Sequence, residues 1–295
     1  MKIFYHNDPD GQAACAVVKH FESKKGTRKL ECVPVNFDKP FPYNRIRKNE
    51  QIYILDYRPD SWDELIRYTD RIIWIDHHET SIDTFLEWNH EKKSQVDYFC
   101  DISRAGCVLA WLYFSEEKLK NWSGNIPYFL LLVEDRDIWK WAFTQTANFW
   151  NGLSLEETNP GNTANIWSML LSLNPKASVG LVDKISSRGD IINEYITNRN
   201  RDIVPSDIYY RKWNGLNCVV VNRARGTGSD TFEDGMDVSK VDIMVSVTLI
   251  NGKWIISLYT TNKNIHVGKI AKKYGGGGHQ GSGGFDSSYE DFPFK

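Results

Sequence analysis

YHNDPDG, residues 5–11, lies between an apolar run, KIF, and a helix-like run, QAACAVVKHF. A strand that gives way at once to a helix is the opening of a βαβ unit. One Asp is enough to cap such a helix. His6, Asp8 and Asp10 together are more than the turn requires. Read in isolation the stretch is equally a capped turn, since Asp tolerates left-handed backbone. Its meaning therefore depends on what the other strands bring to the same edge.

The first half of the chain continues the alternation. LECVPVNF reads as a second strand and QIYILDY as a third. SWDELIRYTD reads as a helix, with Ser61 and Glu64 in capping-box spacing. RIIWIDHH is a fourth strand. SRAGCVLAWLYF is a helix with Ser103 as N-cap, and IPYFLLLVEDRDIWKW another with Pro127 near its first position. The pattern predicts an α/β fold, a mostly parallel sheet with helices on both faces.

A long amphipathic helix follows from about Ala177 to Asn200, with Pro205 as its stop. The grammar then turns to strands: DIYYRKW, LNCVVVN, VDIMVSVTLI and KWIISLY. Asn251-Gly252 joins the last two as a hairpin, because both turn residues need positive φ. HVGKIAKKY is a short helix, and GGGGHQGSGGF a structured glycine-rich loop. The expected division is a larger α/β domain over 1–185, a helical linker over 186–205, and a smaller α+β domain with a mixed sheet over 206–295.

The 295 residues, 41% of them hydrophobic, suffice for a sizeable core. A net charge of -2 and a pI near 6.4 argue against a surface built to coat nucleic-acid phosphates, but allow a groove for a short ligand. The 11 Trp read as core or interface, and Trp139 and Trp141 as core or cleft wall. Cys15, Cys32, Cys100, Cys107 and Cys218 form no CxxC pair, so reduced thiols in a cytoplasmic protein are expected. No secretory signal is read at the N-terminus, and FLLLV at 129–133 is too short to span a bilayer. No membrane partner is expected.

Asp56 closes the third strand, and Asp76, His77 and His78 the fourth. In a parallel sheet the C-terminal strand ends share one edge, where ligands bind. VEDRDIW adds Asp135 and Asp137 from an apolar helix; two residues apart, they cannot share a face. Asp135 is the first choice and Asp137 the alternative. Asp8, Asp10, Asp56 and Asp135, converging bare, would repel. Two divalent cations would cancel that charge, and mixed imidazole and carboxylate donors suit Mn²⁺, Zn²⁺ or Fe²⁺. Two such ions about 3.5–4 Å apart can clamp a phosphoryl group and activate water.

The order HxDxDG, ILDYRP, DHH, a later helix Asp and GGGGHQGSGGF resembles the DHH phosphoesterase superfamily, in the branch with the DHH-associated C-terminal domain marked by GGGH. The resemblance spans nearly the whole chain. It implies one metal on His6, Asp8 and Asp56, and a second on Asp10, His77 and Asp135, with Asp56 bridging. It implies that Asp76 orients His77 and that His78 meets the substrate phosphate, these two being the catalytic pair. The implied cofactors are two Mn²⁺, with Mg²⁺, Co²⁺ or Fe²⁺ as alternatives. In the C-terminal motif, Gly275 to Gly278 offer consecutive amides to an anion as a nest. Gly276, Gly277, Gly278 and His279 would bind substrate, and Arg223, with Arg225 beside it, a second phosphate.

The implied activity is a phosphodiesterase on short oligonucleotides or dinucleotides, so the partner is a short single-stranded nucleic acid or nucleotide. A phosphatase on 3′-phosphoadenosine 5′-phosphate, pyrophosphate or polyphosphate is the alternative within the family. A catalytically silent nucleotide sensor is the alternative of another class. Oligomeric state stays open, a homodimer included. Arg104 reads as a surface residue as readily as a ligand contact. His20, His90 and His266 belong to no constellation.

Overall fold

The computed structural model describes residues 1–26, 29–37, 39–88, 91–115, 125–222 and 228–295, without the side chains of 203–205. Met1–Ile192 and Asn193–Lys295 form two compact units. The first begins β1 (Lys2–His6), α1 (Pro9–Lys24), β2 (Glu31–Val35), β3 (Ile52–Leu55) and α2 (Trp62–Tyr68). It continues with β4 (Ile72–Asp76), α3 (Glu79–Glu87), β5 (Val96–Cys100), α4 (Gly106–Phe114) and α5 (Tyr128–Asp137). Then come α6 (Thr146–Leu153), α7 (Ile166–Ser172) and α8 (Pro175–Asp207), the helix within which the division falls.

The five strands form one parallel sheet in the order β2-β1-β3-β4-β5. Both faces of the central strands β1, β3 and β4 are buried, which is why these three read as apolar runs, whereas the edge strands β2 and β5 are partly exposed. Alternation then divides their side chains. Ile3 and Tyr5 of β1 pack into a core with α1 and α4–α8. Phe4, one residue between them, packs into the opposite core with Trp62 of α2 and Phe85 of α3. Trp74 sits at the middle of that second core, its indole N–H donating to the Tyr57 carbonyl at 2.9 Å. Its rings contact Trp62 and Phe85 at 5.0 and 4.7 Å. Each such pair adds about 0.5–1.5 kcal/mol beyond the area it buries.

β1 is flanked by β2 on one side and β3 on the other, so the winding reverses beside it. A sheet of this order offers its ligand crevice at that reversal, outside the C-terminal strand ends. α1 starts there with Pro9 in its first turn and Asp8 as N-cap, the carboxylate accepting the Gly11 amide at 2.9 Å. The turn is tight: a Cβ on Gly11 would stand 2.2 Å from the His6 carbonyl oxygen.

The second unit contains β6 (Ile208–Trp213), β7 (Leu216–Asn222), α9 (Asp230–Gly235), β8 (Ile243–Ile250), β9 (Lys253–Tyr259), α10 (Val267–Lys272), β10 (Gly277–Gly278) and β11 (Ser282–Ser288). Its strands make one mixed sheet in the order β10-β11-β9-β8-β7-β6, with β7 and β8 parallel and the other pairs antiparallel. Asn251 and Gly252 both have positive φ, as the β8–β9 hairpin demands.

Four local expectations are corrected. The helix expected from Ser103 begins at Gly106, because its first amides are capped from elsewhere in the fold. Pro205 does not end α8; it falls in the final turn, and the helix stops at Asp207. β5 is a fifth parallel strand that the sequence reading did not contain. The glycine-rich run is a strand pair rather than a loop. No helix among the described residues is long and apolar enough to cross a membrane.

Candidate metal centre at the strand ends

The C-terminal ends of β1, β3 and β4 bring their acids and histidines together. Asp56 occupies the middle. Its Oδ1 lies 3.1 Å from His77 Nε2, and its Oδ2 lies 3.6 Å from His6 Nδ1. His6 Nδ1 stands 2.9 Å from Asp8 Oδ2. His77 Nε2 is also 3.6 Å from Asp10 Oδ2 and 3.2 Å from Asp137 Oδ2. Three donor groups of this unit result, His6–Asp8–Asp56, Asp10–Asp56–His77 and Asp56–Asp76–His78, each with its ligand atoms within 4.8 Å of one another. Asp56 belongs to all three. It is held with φ +53, a left-handed conformation at the strand end. Backbone strain of that kind costs about 1–3 kcal/mol and gathers at functional sites.

The floor of the site is closed and its rim open. Asp10, Asp56, Asp76 and His77 are buried, whereas His6, Asp8 and His78 are partly exposed. Asp10 is fixed by the first turn of α4: its carboxylate accepts the Gly106 and Cys107 amides at 2.7 and 2.8 Å.

Asp76 works differently from the expectation that it orients His77. Its Oδ1 accepts the backbone amides of His77 and His78 at 2.7 and 3.1 Å and faces His78 Nδ1 at 2.8 Å. It fixes the DHH backbone and the His78 ring. The His77 ring instead meets Asp10, Asp56 and Asp137.

The α5 acids also divide unexpectedly. Asp135 is buried and fully engaged, accepting the Ala142 and Phe143 amides at 2.7 and 3.2 Å and the Thr146 hydroxyl. It builds the turn after α5. Asp137 is the one that reaches His77. The same turn puts Trp139 and Trp141 at positive φ; Trp139 is partly exposed and Trp141 exposed, so neither is a core residue. The Arg136 guanidinium lies 4.8 and 4.9 Å from their ring centroids. Arg104 pairs with Glu134 at 2.7 Å.

Electrostatics at the cluster reflect crowded charge. Burial disfavours a charged His6, but Asp8 and Asp56 outweigh it and raise its pKa to about 11. Burial likewise opposes charge on His77, and Asp137 and Asp56 hold its pKa well above the usual imidazole value. Burial, then Asp56 and Asp137, push Asp10 well above the carboxylate range. Burial lifts Asp137 to about 6 against the pull of His77. Asp56 goes the other way: burial works against its charge, yet His6 and His77 hold it well below the usual value.

The donor set fits divalent cations. Asp56 Oδ2, Asp137 Oδ2 and His6 Nδ1 are buried atoms that meet the cluster's other ionisable groups at 2.9–3.6 Å without forming an aligned hydrogen bond among the described residues. Buried polar atoms are ordinarily paired. Here these three meet their neighbours at ion-pair distances without an aligned hydrogen bond, and each can ligate. Imidazole with carboxylate suits Mn²⁺, Fe²⁺ or Zn²⁺.

In the second unit the expected row of outward amides is not formed. The amides of Gly275, Gly276 and His279 donate to the carbonyls of Lys272, Ala271 and Ser282. Gly277 and Gly278 pair with Gly284 and Gly283. The glycines serve close packing: a Cβ on Gly276 would sit 1.9 Å from the Gly284 carbonyl oxygen. His279 follows β10 and is partly exposed. Arg223, Arg225 and His90 lie outside the described residues. His266 caps α10, its Nδ1 accepting the Lys269 amide.

No family model matches the chain. Uncharacterized protein R106 of Acanthamoeba polyphaga mimivirus is 26% identical over 249 residues, which cover 80% of this chain and 53% of that protein. The chain thus spans about half the length of the curated relative it matches. Among solved structures, exonuclease RecJ bound to manganese superposes with a TM-score of 0.51 at 14% identity, over 99% of this chain and 86% of that one. An exopolyphosphatase-related protein from Bacteroides fragilis superposes with a TM-score of 0.50 at 14% identity, over 96% and 85%. At that identity the likeness is one of fold: the chain shares the fold of these two proteins.

Proposed function

We propose that the protein is a metal-dependent phosphodiesterase that hydrolyses short oligonucleotides or dinucleotides. The observation that carries the reading is Asp56, whose carboxylate is common to the two donor groups that would each hold a metal, His6–Asp8–Asp56 and Asp10–Asp56–His77. One metal would be held by His6, Asp8 and Asp56, and the other by Asp10, Asp56 and His77, with Asp137 in place of Asp135. When bound, two divalent cations, Mn²⁺ first among them, would supply Lewis-acid polarisation of a phosphate and acidify water.

The chain's own residues do the rest. Asp10 holds its place because α4 donates two amides to it, so its carboxylate does not swing when charge changes nearby. Asp76 fixes the His78 ring, and His78 at the rim is the donor to the substrate phosphate. In the imidazolium form, favoured by Asp76 against burial, that donor carries charge where the transition state gains it. The buried floor excludes water from one side of the site. His279 stays in this reading as a substrate contact, carried over from the GGGH motif. The name of the RecJ neighbour, an exonuclease bound to manganese, supports both the nuclease chemistry and the choice of metal.

The test is a chromatographic assay with Mn²⁺, offering pApA, a short RNA and tripolyphosphate side by side. Asp56→Ala and Asp8→Ala are run in parallel with calorimetric titration of Mn²⁺. Mononucleotides from pApA and the RNA are expected. Asp56→Ala should cost at least about 10²-fold in turnover and lose both ions, more than outer partners of a metal do. Asp8→Ala should weaken one ion. Cleavage of tripolyphosphate alone would move the protein to the phosphatase reading, and equal mild losses in both variants would undo the shared role of Asp56.

A further inference from the structure

Phe37 is 56% exposed, although it is a large apolar ring directly beside the candidate centre. It is the outer end of a row of aromatic rings. Phe37 stacks on the buried Tyr57 with centroids 4.6 Å apart and planes at 29°. Tyr57 stacks in turn on the buried Phe41 at 6.1 Å and 20°. The row starts in the core between the sheet and α2 and ends in solvent. At that end the Phe37 ring contacts two imidazoles of the site, His6 at 5.3 Å and His78 at 6.0 Å. One face of Phe37 is therefore fixed by Tyr57, while more than half the residue is open. A flat apolar surface held rigid from behind, next to groups suited to a phosphate, has the form of a stacking shelf.

We infer that Phe37 is the platform for the nucleobase attached to the phosphate held at the Asp56 centre. The inference rests on the phosphodiesterase reading and narrows it. The preferred substrate carries a base next to the scissile phosphate, which inorganic polyphosphate lacks. Stacking needs no hydrogen-bond code, so all bases are accepted. A stacked base is worth about 5- to 150-fold in affinity.

The experiment measures kcat and KM on pdApdA and on the analogue with one base replaced by an abasic site. The proteins are wild type, Phe37→Leu and Phe37→Trp. Leu covers Tyr57 as Phe does but offers no ring. Phe37→Leu is expected to raise KM for pdApdA by about tenfold or more. It leaves the abasic analogue and the melting temperature unchanged, and Phe37→Trp keeps wild-type KM. Wild-type behaviour of Phe37→Leu, or equal losses on both substrates, overturns the stacking role. If wild type cleaves neither substrate, the phosphodiesterase reading itself has failed. Stacking is then read from equilibrium binding of AMP against ribose 5-phosphate to the Mn²⁺-loaded protein. A preference for AMP that Phe37→Leu loses upholds it, and one that Phe37→Leu retains overturns it.

Discussion

The carboxylate of Asp10 accepts the Gly106 amide at 2.7 Å, across 96 residues of sequence. α4 thus receives its N-terminal cap from α1, and its positive end lies against a site carboxylate. The contact has no spare room. A Cβ on Gly106 would stand 2.9 Å from Asp10 Oδ2 and 3.0 Å from Asp56 Cβ. Gly106→Ala should cost about 1–3 kcal/mol of stability through overpacking. It should also weaken Mn²⁺ binding, because both carboxylates must shift. Urea unfolding and calorimetric titration measure the two effects. An unchanged unfolding midpoint with unchanged metal affinity would sink this account of the contact.

Asp135 and Asp137 should separate cleanly by mutation. Asp135→Ala strands the Ala142 and Phe143 amides and the Thr146 hydroxyl. The expected loss is about 2–4 kcal/mol, and the protein that still folds should bind metal. Asp137→Asn removes a carboxyl that burial lifts to about 6. Metal-free stability should hold or rise, while Mn²⁺ affinity falls. The readouts are denaturant midpoints in EDTA and titration in Mn²⁺. Reversed outcomes would return the ligand role to Asp135.

These two acids show where the sequence stops being informative. The strand ends of β1, β3 and β4 were legible because doubly buried strands are apolar runs, and polar residues punctuate them sharply. Asn251-Gly252 was legible because the turn type demands those residues; Asn214-Gly215 carries the same signal and turns β6 into β7. The choice between Asp135 and Asp137 rests instead on a turn held by side-chain acceptance, with two tryptophans at positive φ that no local propensity announces. The start of α4 was hidden for a like reason, since Asp10 and Glu134 supply its cap from distant sequence. β5 went unread because only Val96 of its five residues is buried. β10 and β11 went unread because glycine is poor in strands, and the need for it is a packing matter between backbones.

That packing can be tested by neighbouring glycines with opposite demands. Gly275 has φ +84 but nothing within 4 Å of its would-be Cβ. Gly275→Ala should cost about 1–2 kcal/mol, the strain of left-handed backbone. Gly276 has no positive φ, yet its Cβ would fall 1.9 Å from the Gly284 carbonyl oxygen and 2.7 Å from Phe285 Cβ. Gly276→Ala should cost more than about 3 kcal/mol, because backbone must move on both sides. Denaturant unfolding of the full chain orders the two. If Gly276→Ala proves the milder, the close approach of β10 and β11 is wrong.

The last prediction concerns pH in the absence and presence of metal. His6 has a folded pKa of about 11 against an ordinary 6.5. A raised pKa means that the folded chain holds a proton that the unfolded chain releases. That contribution is complete below 6.5 and is lost as pH rises toward 11. Asp137, raised from 3.8 to about 6, loses its contribution over that lower window, with the same sign. Asp56, lowered, contributes above 3.8 and is constant across the neutral range. In EDTA the melting temperature should therefore fall from about pH 6 to about pH 8.5. Bound cations take the place of those protons, so the stabilisation by Mn²⁺ should grow over the same interval. Scanning calorimetry with Mn²⁺ and with EDTA at both pH values gives the difference directly. A difference that shrinks as pH rises would mean that the clustered carboxylates and histidines are not where the metal binds.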